Sequence, residues 1–198
     1  MVDAEGAETA TARRVADSRS RPSLSPVEAS VVAYLALGSN LGDPINQLVK
    51  ARAAISAIPR VTLIRASSLY ESPAWGSNDP QPDYVNAVVA IQTTLSALAL
   101  WSATTEIEIA QGRIRDVQSA RNTARTLDID LLLFADLQLQ TPDLTLPHPR
   151  MIERDFVLLP LVEIAPDVLI AGHGTARQCL QRIEPTKARK LSHNSSWN

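Results

Sequence analysis

Apolar positions dominate the segment from residue 127 to residue 134, and two acids, Asp128 and Asp130, are set among them. A short apolar run of this kind is typical of a buried strand. Because side chains two positions apart on a strand point to the same face, the two carboxylates should project side by side. The opposite face is then expected to carry Leu127, Ile129, Leu131 and Leu133.

The preceding chain alternates between strand and helix patterns. Apolar runs predict three strands, over residues 31–37, 61–70 and 84–93. Asp43 followed by Pro44 predicts a helix start, and this helix should run to about residue 57. Ser96 should cap a second helix, with Gly112 as the residue after its end. The buried stripe of the first helix is expected to be Ile45, Leu48, Ala51 and Ile55.

These elements follow one another in the order β-α-β-β-α-β. That order defines the ferredoxin-like split arrangement, in which two helices cover one face of an antiparallel sheet. We therefore expect an α+β fold with a ferredoxin-like core. Farther along, the pattern predicts a short strand within residues 137–140 and a helix over residues 151–163 that is interrupted at Pro160.

Both ends of the chain are poor in large apolar residues. Residues 1–30 cannot bury a core and are expected to form a flexible N-terminal extension, and acids such as Asp3 and Glu5 argue against a transit peptide. Residues 31–184 should form a single domain. Residues 185–198 are expected to be a loose polar C-terminal tail.

Composition excludes several classes of protein. The 198 residues carry a net charge of −2, so no overall basic field attracts nucleic acid or an anionic membrane surface. The single cysteine, Cys179, excludes an internal disulfide framework and suits a reducing compartment. Zinc-ligand spacing and apolar runs of transmembrane length are both missing. We expect a cytoplasmic protein that binds neither nucleic acid nor membranes.

The paired acids are the main candidates for chemistry. Two carboxylates on one strand face repel each other and need a shared proton or a shared divalent cation. Arginines precede the strand at positions 113, 115, 121 and 125, and guanidinium groups match phosphate oxygens. Acids for Mg²⁺ and arginines for phosphates are typical of phosphoryl-transfer sites. These residues alone leave open a second interpretation, in which acids and arginines form only an internal salt-bridge cluster.

Two loops are candidate ligand sites. Residues 38–42 (GSNLG) lack the spacing and the lysine of a phosphate loop, so a tight strand-to-helix turn is the better interpretation. The proline-stiffened residues 72–76, beside Tyr84 and Asn86, could form a slot for a flat heterocycle. Alternatively, Trp75 merely anchors that loop to the core.

Three further polar residues allow a functional or a structural interpretation. His148 lies between two prolines and could donate to a phosphate, or could simply be hydrogen-bonded within its turn. Glu106 and Glu108 lie near the end of the second helix, where solvated salt bridges are the default expectation.

Seven segments in a fixed order carry a resemblance to a known family. They are YLALGSNLG at 34–42, SLYESP at 68–73 with Gly76, PDYVNA at 82–87, GRIR at 112–115, RTLDIDLLLF at 125–134, LPHPRM at 146–151 and RDFVLLPL at 154–161. The chain resembles the 6-hydroxymethyl-7,8-dihydropterin pyrophosphokinases of folate biosynthesis over about residues 32–167. The resemblance implies transfer of the pyrophosphoryl group of ATP to the pterin hydroxymethyl oxygen, with release of AMP.

The same resemblance implies a three-layer ferredoxin-like domain that acts as a monomer on two small molecules, ATP and 6-hydroxymethyl-7,8-dihydropterin. Two Mg²⁺ ions would be held by Asp128 and Asp130. The implied catalytic set is Arg113, Arg115, Arg125, Asp128 and Asp130. The implied ATP-binding positions are Glu108, Arg113, Arg115, Arg125, Thr145, His148 and Arg154. The implied pterin-binding positions are Ser72, Pro73, Ala74, Trp75, Tyr84, Asn86 and Phe156.

The chain departs from the family pattern in three places. Residues 122–124 (Asn-Thr-Ala) replace an aromatic or basic residue followed by Gly-Pro, which should alter the stiffness of a mobile loop over residues 113–125. Asp143 replaces a base, and Pro149 replaces an aromatic residue found in some members. Fewer adenosine contacts are expected from the turn at His148.

Two alternatives remain at the level of sequence. A two-metal nucleotidyl transferase on a ferredoxin-like fold would also use two acids on a strand, but should carry a basic nucleic-acid track. A non-catalytic pterin- or nucleotide-binding module would use the acids only structurally.

Overall fold

The computed structural model describes residues 29–76, 80–113, 124–184, 187–192 and 195–197. The strands within these residues are β1 (Val31–Ser39), β2 (Val61–Ala66), β3 (Tyr70–Ser72), β4 (Tyr84–Thr93), β5 (Asp128–Phe134), β6 (Leu139–Gln140), β7 (Thr145–Leu146), β8 (Leu169–Ile170), β9 (Gly174–Thr175) and β10 (Arg189–Lys190). The helices are α1 (Pro44–Ser56), α2 (Ala97–Ala110), α3 (Asp155–Ile164) and α4 (Ala176–Leu180), with a 3₁₀ turn at Met151–Glu153.

The main sheet is antiparallel and has the order β10-β3-β4-β1-β5, with β2 also paired to β4. The strand β4 is long enough to pair with β2 along one half of the same edge and with β3 along the other. The predicted caps of the helices are present, because Asp43 accepts a hydrogen bond from the Asn46 N–H and Ser96 accepts one from the Ala99 N–H. Gly112 follows α2 with a positive φ of 87°, as expected for a residue that ends a helix.

Helices cover both faces of this sheet. One buried apolar cluster lies on the side of α1 and α2 and includes Leu48, Leu100 and Leu131. The second lies on the side of α3 and α4 and includes Leu132 and Leu158. The strand β4 contributes alternate residues to the two clusters, as its pattern predicted. The predicted α+β, ferredoxin-like, three-layer fold is confirmed.

The predicted strand over residues 61–70 is wrong in one respect, because it is broken into β2 and β3. The Ser67 hydroxyl interrupts the ladder between them, since it accepts the Val88 N–H at 3.0 Å while the Ser67 N–H donates to the Val88 carbonyl at 2.9 Å. A serine side chain that competes for a backbone donor is a local cause of such a break. The strand β3 also includes Glu71, one residue beyond the predicted strand, and Ser72, which was predicted to lie in the loop over residues 72–76.

A bulge in β5 overturns the expected position of Leu133. Tyr34 of β1 lies opposite Leu133 and Leu35 lies opposite Leu131, so Leu132 is the extra residue. Beyond the bulge the alternation is reversed, and Leu133 packs in the second cluster instead of joining Leu131 in the first. The bulge lies after Asp130, so the acids keep their shared face.

The predicted helix over residues 151–163 is also corrected. The break falls at Arg154, which has extended backbone angles, and α3 continues through the buried Pro160. A proline removes one helical hydrogen bond, and the close packing of α3 against the sheet accommodates this loss.

The expectation of a loose tail does not hold for the described C-terminal residues. The strand β10 pairs with β3, and Trp197 is 1% exposed within the first apolar cluster. The indole N–H of Trp197 donates to the Ser67 carbonyl at 2.6 Å. The N-terminal extension over residues 1–28 lies outside the described residues, and the division of the chain into these segments remains a prediction.

None of the helices in the described part of the chain is both long and apolar enough to span a membrane.

Candidate active site

The carboxylates of Asp128 and Asp130 project from the same face of β5 into a cleft, as the spacing predicted. The cleft has a volume of about 310 Å³. Asp130 also lines a second cavity of about 260 Å³. Asp130 therefore borders both cavities, and its side chain is 34% exposed.

Two arginines neutralise Asp128. The guanidinium of Arg113 lies 2.7 Å from Oδ1 of Asp128, and that of Arg125 lies 2.8 Å from Oδ2. Arg113 also forms an ion pair with Glu108. Each carboxylate oxygen of Asp128 therefore has an arginine partner. This is the arrangement expected if the acids and arginines form an internal salt-bridge cluster.

Glu108 is 2% exposed, so the expectation of a solvated salt bridge is wrong for this residue. Its carboxylate accepts the Ile129 N–H at 2.7 Å, next to Asp128 on β5, and pairs with Arg113. Glu108 thus joins α2 to β5, and its ion pair helps to fix the position of the Arg113 guanidinium. It lines neither of the two cavities.

Asp130 has weaker partners than Asp128. Its Oδ2 lies 3.6 Å from Nε2 of His148 and 3.8 Å from the Arg154 guanidinium. Burial of the carboxyl group and the negative charge of Asp128 raise the pKa of Asp130 to about 6. The positive charges of Arg154, Arg125 and Arg113 oppose this shift. The negative charge of ionised Asp130 is therefore only partly neutralised by its neighbours.

His148 is a neutral imidazole at neutral pH. Burial, followed by the charges of Arg154 and Arg150, lowers the pKa of His148 to about 4. Its Nδ1 accepts the Arg150 N–H at 3.3 Å, which places the remaining ring proton on Nε2, the nitrogen that faces Asp130. His148 can therefore offer one neutral N–H donor to the second cavity, which it lines.

The first cavity brings together six of the seven predicted pterin-binding residues. They are Ser72, Pro73, Trp75, Tyr84, Asn86 and Phe156. The seventh, Ala74, is not part of the lining. The amide Nδ2 of Asn86 donates to the Ser72 hydroxyl at 3.0 Å, so its Oδ1 is oriented as an acceptor.

Arg154 lies between the aromatic side chains of this slot. Its guanidinium carbon is 5.0 Å from the Trp75 ring centroid and 5.6 Å from that of Phe156, which are cation–π distances. Its Nε is buried and has no hydrogen-bond partner among the described residues. A buried, unpartnered donor beside a cleft is suited to an anionic ligand.

Predicted ATP-binding residues line both cavities. Thr145 lines the second cavity together with His148. Arg113, Arg125 and Arg154 line the first cavity, with the two acids. Arg115 and most of the predicted mobile loop fall on residues 114–123, outside the described residues.

Sequence reasoning missed two residues of these cavities and their rim. Asn40 is 3% exposed, and its Oδ1 accepts the Arg125 N–H at 2.8 Å while its Nδ2 donates to the Pro82 carbonyl at 3.1 Å. Trp101 lines the second cavity. Of these, only Asn40 could have been found from the sequence. It lies in the segment interpreted only as a turn, and a buried amide must be hydrogen-bonded.

Among the described residues, no group of three or more His, Cys, Asp and Glu side chains could hold a metal ion. Two carboxylates are nevertheless sufficient for Mg²⁺ when phosphate oxygens and water supply the other ligands.

Fold and site together define a class. A ferredoxin-like domain whose cleft combines paired carboxylates, arginines and an aromatic slot is suited to transfer of a phosphoryl-type group onto a flat heterocyclic substrate.

Comparison with known proteins then identifies the family. The profile of the family 7,8-dihydro-6-hydroxymethylpterin-pyrophosphokinase matches residues 34–166. The chain is 42% identical to the 2-amino-4-hydroxy-6-hydroxymethyldihydropteridine pyrophosphokinase of Haemophilus influenzae, over 82% of this chain and 99% of the relative. It is 41% identical to the Methylorubrum extorquens protein of the same name, over 78% and 94%. The chain belongs to the 7,8-dihydro-6-hydroxymethylpterin-pyrophosphokinase family, which confirms the resemblance found in the sequence.

A solved structure agrees on the fold. The Plasmodium falciparum HPPK-DHPS wild type with pteroate matches with a TM-score of 0.62 at 14% identity, over 80% of this chain. The match covers 43% of that longer chain, so the present protein spans less than half of it. At this identity the likeness concerns the fold alone.

Proposed function

We propose that the cleft at Asp128 and Asp130 carries out the reaction of this family. The chain is an ATP-dependent pyrophosphokinase of folate biosynthesis. The hydroxymethyl oxygen of 6-hydroxymethyl-7,8-dihydropterin forms a bond to the β-phosphorus of ATP and loses its proton to water. The bond between that phosphorus and the oxygen bridging to the α-phosphate breaks, and AMP leaves. The observation that carries this assignment to the cleft is the position of Asp130, which lines both cavities.

Asp128 and Asp130 would hold magnesium. The donor set fits this ion, because Mg²⁺ is bound in proteins by one or two carboxylates together with substrate phosphates. Asp130 supports the fit further, since its partners lie at 3.6 and 3.8 Å and leave its charge incompletely compensated. Two bound Mg²⁺ ions would neutralise the triphosphate and align its oxygens.

The arginines would bind the phosphates. Arg113 and Arg125 now pair with Asp128, and a triphosphate with its metal ions would compete for both partners. Arg154 offers, at the first cavity, a buried Nε that has no hydrogen-bond partner within the described part of the chain. Transfer of this kind needs positioning and charge neutralisation and no covalent nucleophile from the protein.

The two cavities divide the substrates between them. The first has aromatic faces in Trp75, Tyr84 and Phe156 and an oriented amide in Asn86, and would take the pterin. The second contains Thr145 and the neutral donor His148, and would take the nucleotide with Trp101 at its wall. The reacting hydroxymethyl group and the triphosphate would then meet at Asp130.

The nucleotidyl transferase and the binding module gain no support from the comparisons, whose named relatives are pyrophosphokinases. A monomer in the cytoplasm is the remaining part of the proposal. The location rests on the single cysteine, which suits a reducing compartment, and the monomer rests on the family resemblance found in the sequence.

The test is an end-product assay with ATP, Mg²⁺ and 6-hydroxymethyl-7,8-dihydropterin that resolves AMP from ADP. We expect AMP and the pterin diphosphate to form in equal amounts. ADP as the nucleotide product would indicate transfer of a single phosphoryl group. Pterin binding without turnover would instead support the binding module.

A further inference from the structure

The strand that leads into the pterin slot, β3, is three residues long and is paired along both edges. On one edge Ser72 lies opposite Tyr84 of β4. On the other edge Lys190 of β10 lies opposite Tyr70, and the Leu191 N–H donates to the Leu69 carbonyl at 2.8 Å. Without β10, β3 would be a short edge strand with unpaired peptide groups, an arrangement of low intrinsic stability.

Glu163 joins this strand to the helix on the other wall of the slot. Its carboxylate accepts hydrogen bonds from the Ser68 hydroxyl at 2.8 Å, the Tyr70 hydroxyl at 2.9 Å and the Lys190 ammonium at 3.0 Å. Glu163 lies two turns after Phe156 on α3, and residues two turns apart share a helix face. The Glu163 carboxylate therefore links α3, which carries Phe156, to the strand β3, which carries Ser72.

Trp197 fixes the end of the same C-terminal segment. Its ring is 1% exposed, and the Arg52 guanidinium of α1 lies 4.8 Å from the ring centroid. Its indole N–H donates to the carbonyl of Ser67, the residue at the break between β2 and β3. Burial of a tryptophan with its N–H satisfied is a strong local anchor.

We propose that residues 187–192 and 195–197, here called the C-terminal strap, act together with Glu163 as a positioning device for the pterin. The strap sets the place of β3, and thereby of Ser72 and the following loop, relative to Phe156. This inference rests on the proposed function of the first cavity. The second cavity has no residue in contact with the strap among the contacts described above, so ATP binding should be little affected.

The experiment measures the dissociation constant of 6-hydroxymethyl-7,8-dihydropterin by fluorescence titration, and KM for both substrates, on the full chain. The variants are Glu163→Gln, Lys190→Met and Trp197→Phe, which keeps the aromatic ring and removes the N–H. The matched controls are Lys187→Met, an exposed lysine of the same strap, and Asp167→Asn, an exposed acid beyond α3. Thermal unfolding is recorded for every variant.

We expect Glu163→Gln and Lys190→Met each to weaken pterin binding about fivefold, the effect of one partly exposed charged hydrogen bond, with KM for ATP within about twofold of wild type. The effects of the two substitutions should be less than additive, since they remove the same contact. The controls should match the wild type.

Unchanged pterin affinity with a lowered unfolding temperature would overturn the inference, because the strap would then only brace the fold. Equal weakening of pterin and ATP binding would overturn it as well. A wild-type chain that neither binds the pterin nor releases AMP would contradict the proposed function itself, which is a distinguishable result.

Discussion

At the scale of single residues, Gly38 allows the backbone of β1 to approach the first cavity, the proposed pterin slot. A Cβ at this position would lie 3.3 Å from Oδ1 of Asn86 and 3.8 Å from Cδ1 of Tyr84. Asn86 is held in place by its bond to Ser72, so it cannot move freely away from an added methyl group. The need for a glycine at position 38 thus comes from close packing against Asn86 and Tyr84 and not from a turn.

We predict that Gly38→Ala raises KM for the pterin about tenfold, because the methyl group displaces the Asn86 amide from its orientation toward the ligand. KM for ATP serves as the internal control and should stay near the wild-type value. Steady-state kinetics with each substrate varied in turn checks this, and an unchanged pterin KM would show that Asn86 does not orient the pterin.

At the scale of the elements, Asn40 ties together three connections that surround the cleft. Its backbone N–H donates to the Arg125 carbonyl at 3.1 Å, and its side chain bonds to the Arg125 N–H and to the Pro82 carbonyl. The connection after β1 is thereby joined to the segments that enter β5 and β4. Asn40 thus holds the backbone of Arg125, whose side chain pairs with Asp128.

Replacement of Asn40 by alanine should leave the Arg125 N–H without its acceptor and destabilise the fold by about 1–3 kcal/mol. The turnover number should also fall about tenfold, since Arg125 loses its orientation. Urea unfolding and steady-state kinetics measure the two effects. Asn46→Ala, on the exposed surface of α1, is the matched control and should change neither.

The sequence predicted the elements whose signals are local. The strand β4 and the cap residues of α1 and α2 were found directly, because alternation and capping are properties of neighbouring residues. The break at Ser67, the bulge at Leu132 and the strap around Trp197 depend on contacts with distant strands. Such tertiary contacts leave no periodic signal in the chain.

The site was predictable to a similar extent. Asp128 and Asp130 were found because a strand places alternate residues on one face. A slot for a flat heterocycle was one of two interpretations of residues 72–76, and the family resemblance assigned it to a pterin. The burial of Glu108 was missed, since its partner Ile129 is distant in sequence. Trp101 was missed because one aromatic residue on a helix gives no indication of a cavity.

At the scale of the whole molecule, the C-terminal strap closes the fold on the side of β3. Glu163 is the point where strap, strand and α3 meet. Burial opposes ionisation of Glu163, but hydrogen bonds from Ser68, Lys190 and Tyr70 outweigh it, and the pKa of Glu163 lies below its usual value of 4.5. The charged carboxylate therefore contributes to the stability of the folded state.

The sign of the resulting pH dependence follows from linkage. A group whose pKa is lower in the folded state contributes its full stability above its unfolded pKa and loses it as the pH falls through the folded value. We predict that Glu163→Gln lowers the free energy of unfolding at pH 7 by on the order of 1 kcal/mol. The difference from wild type should shrink below about pH 4.5. Urea unfolding over a pH series measures it, and a difference independent of pH would contradict the role of the charge.

In the proposed reaction Asp130, which lines both cavities, organises pyrophosphoryl transfer. The most direct measurement is the single-turnover rate of AMP formation by Asp130→Asn at saturating Mg²⁺, ATP and pterin, beside wild type and the exposed control Asp136→Asn. Loss of the carboxylate charge should slow the rate about 10³-fold or more, with the fold and pterin binding retained. A rate within about tenfold of wild type would show that Asp130 serves only the internal salt-bridge cluster.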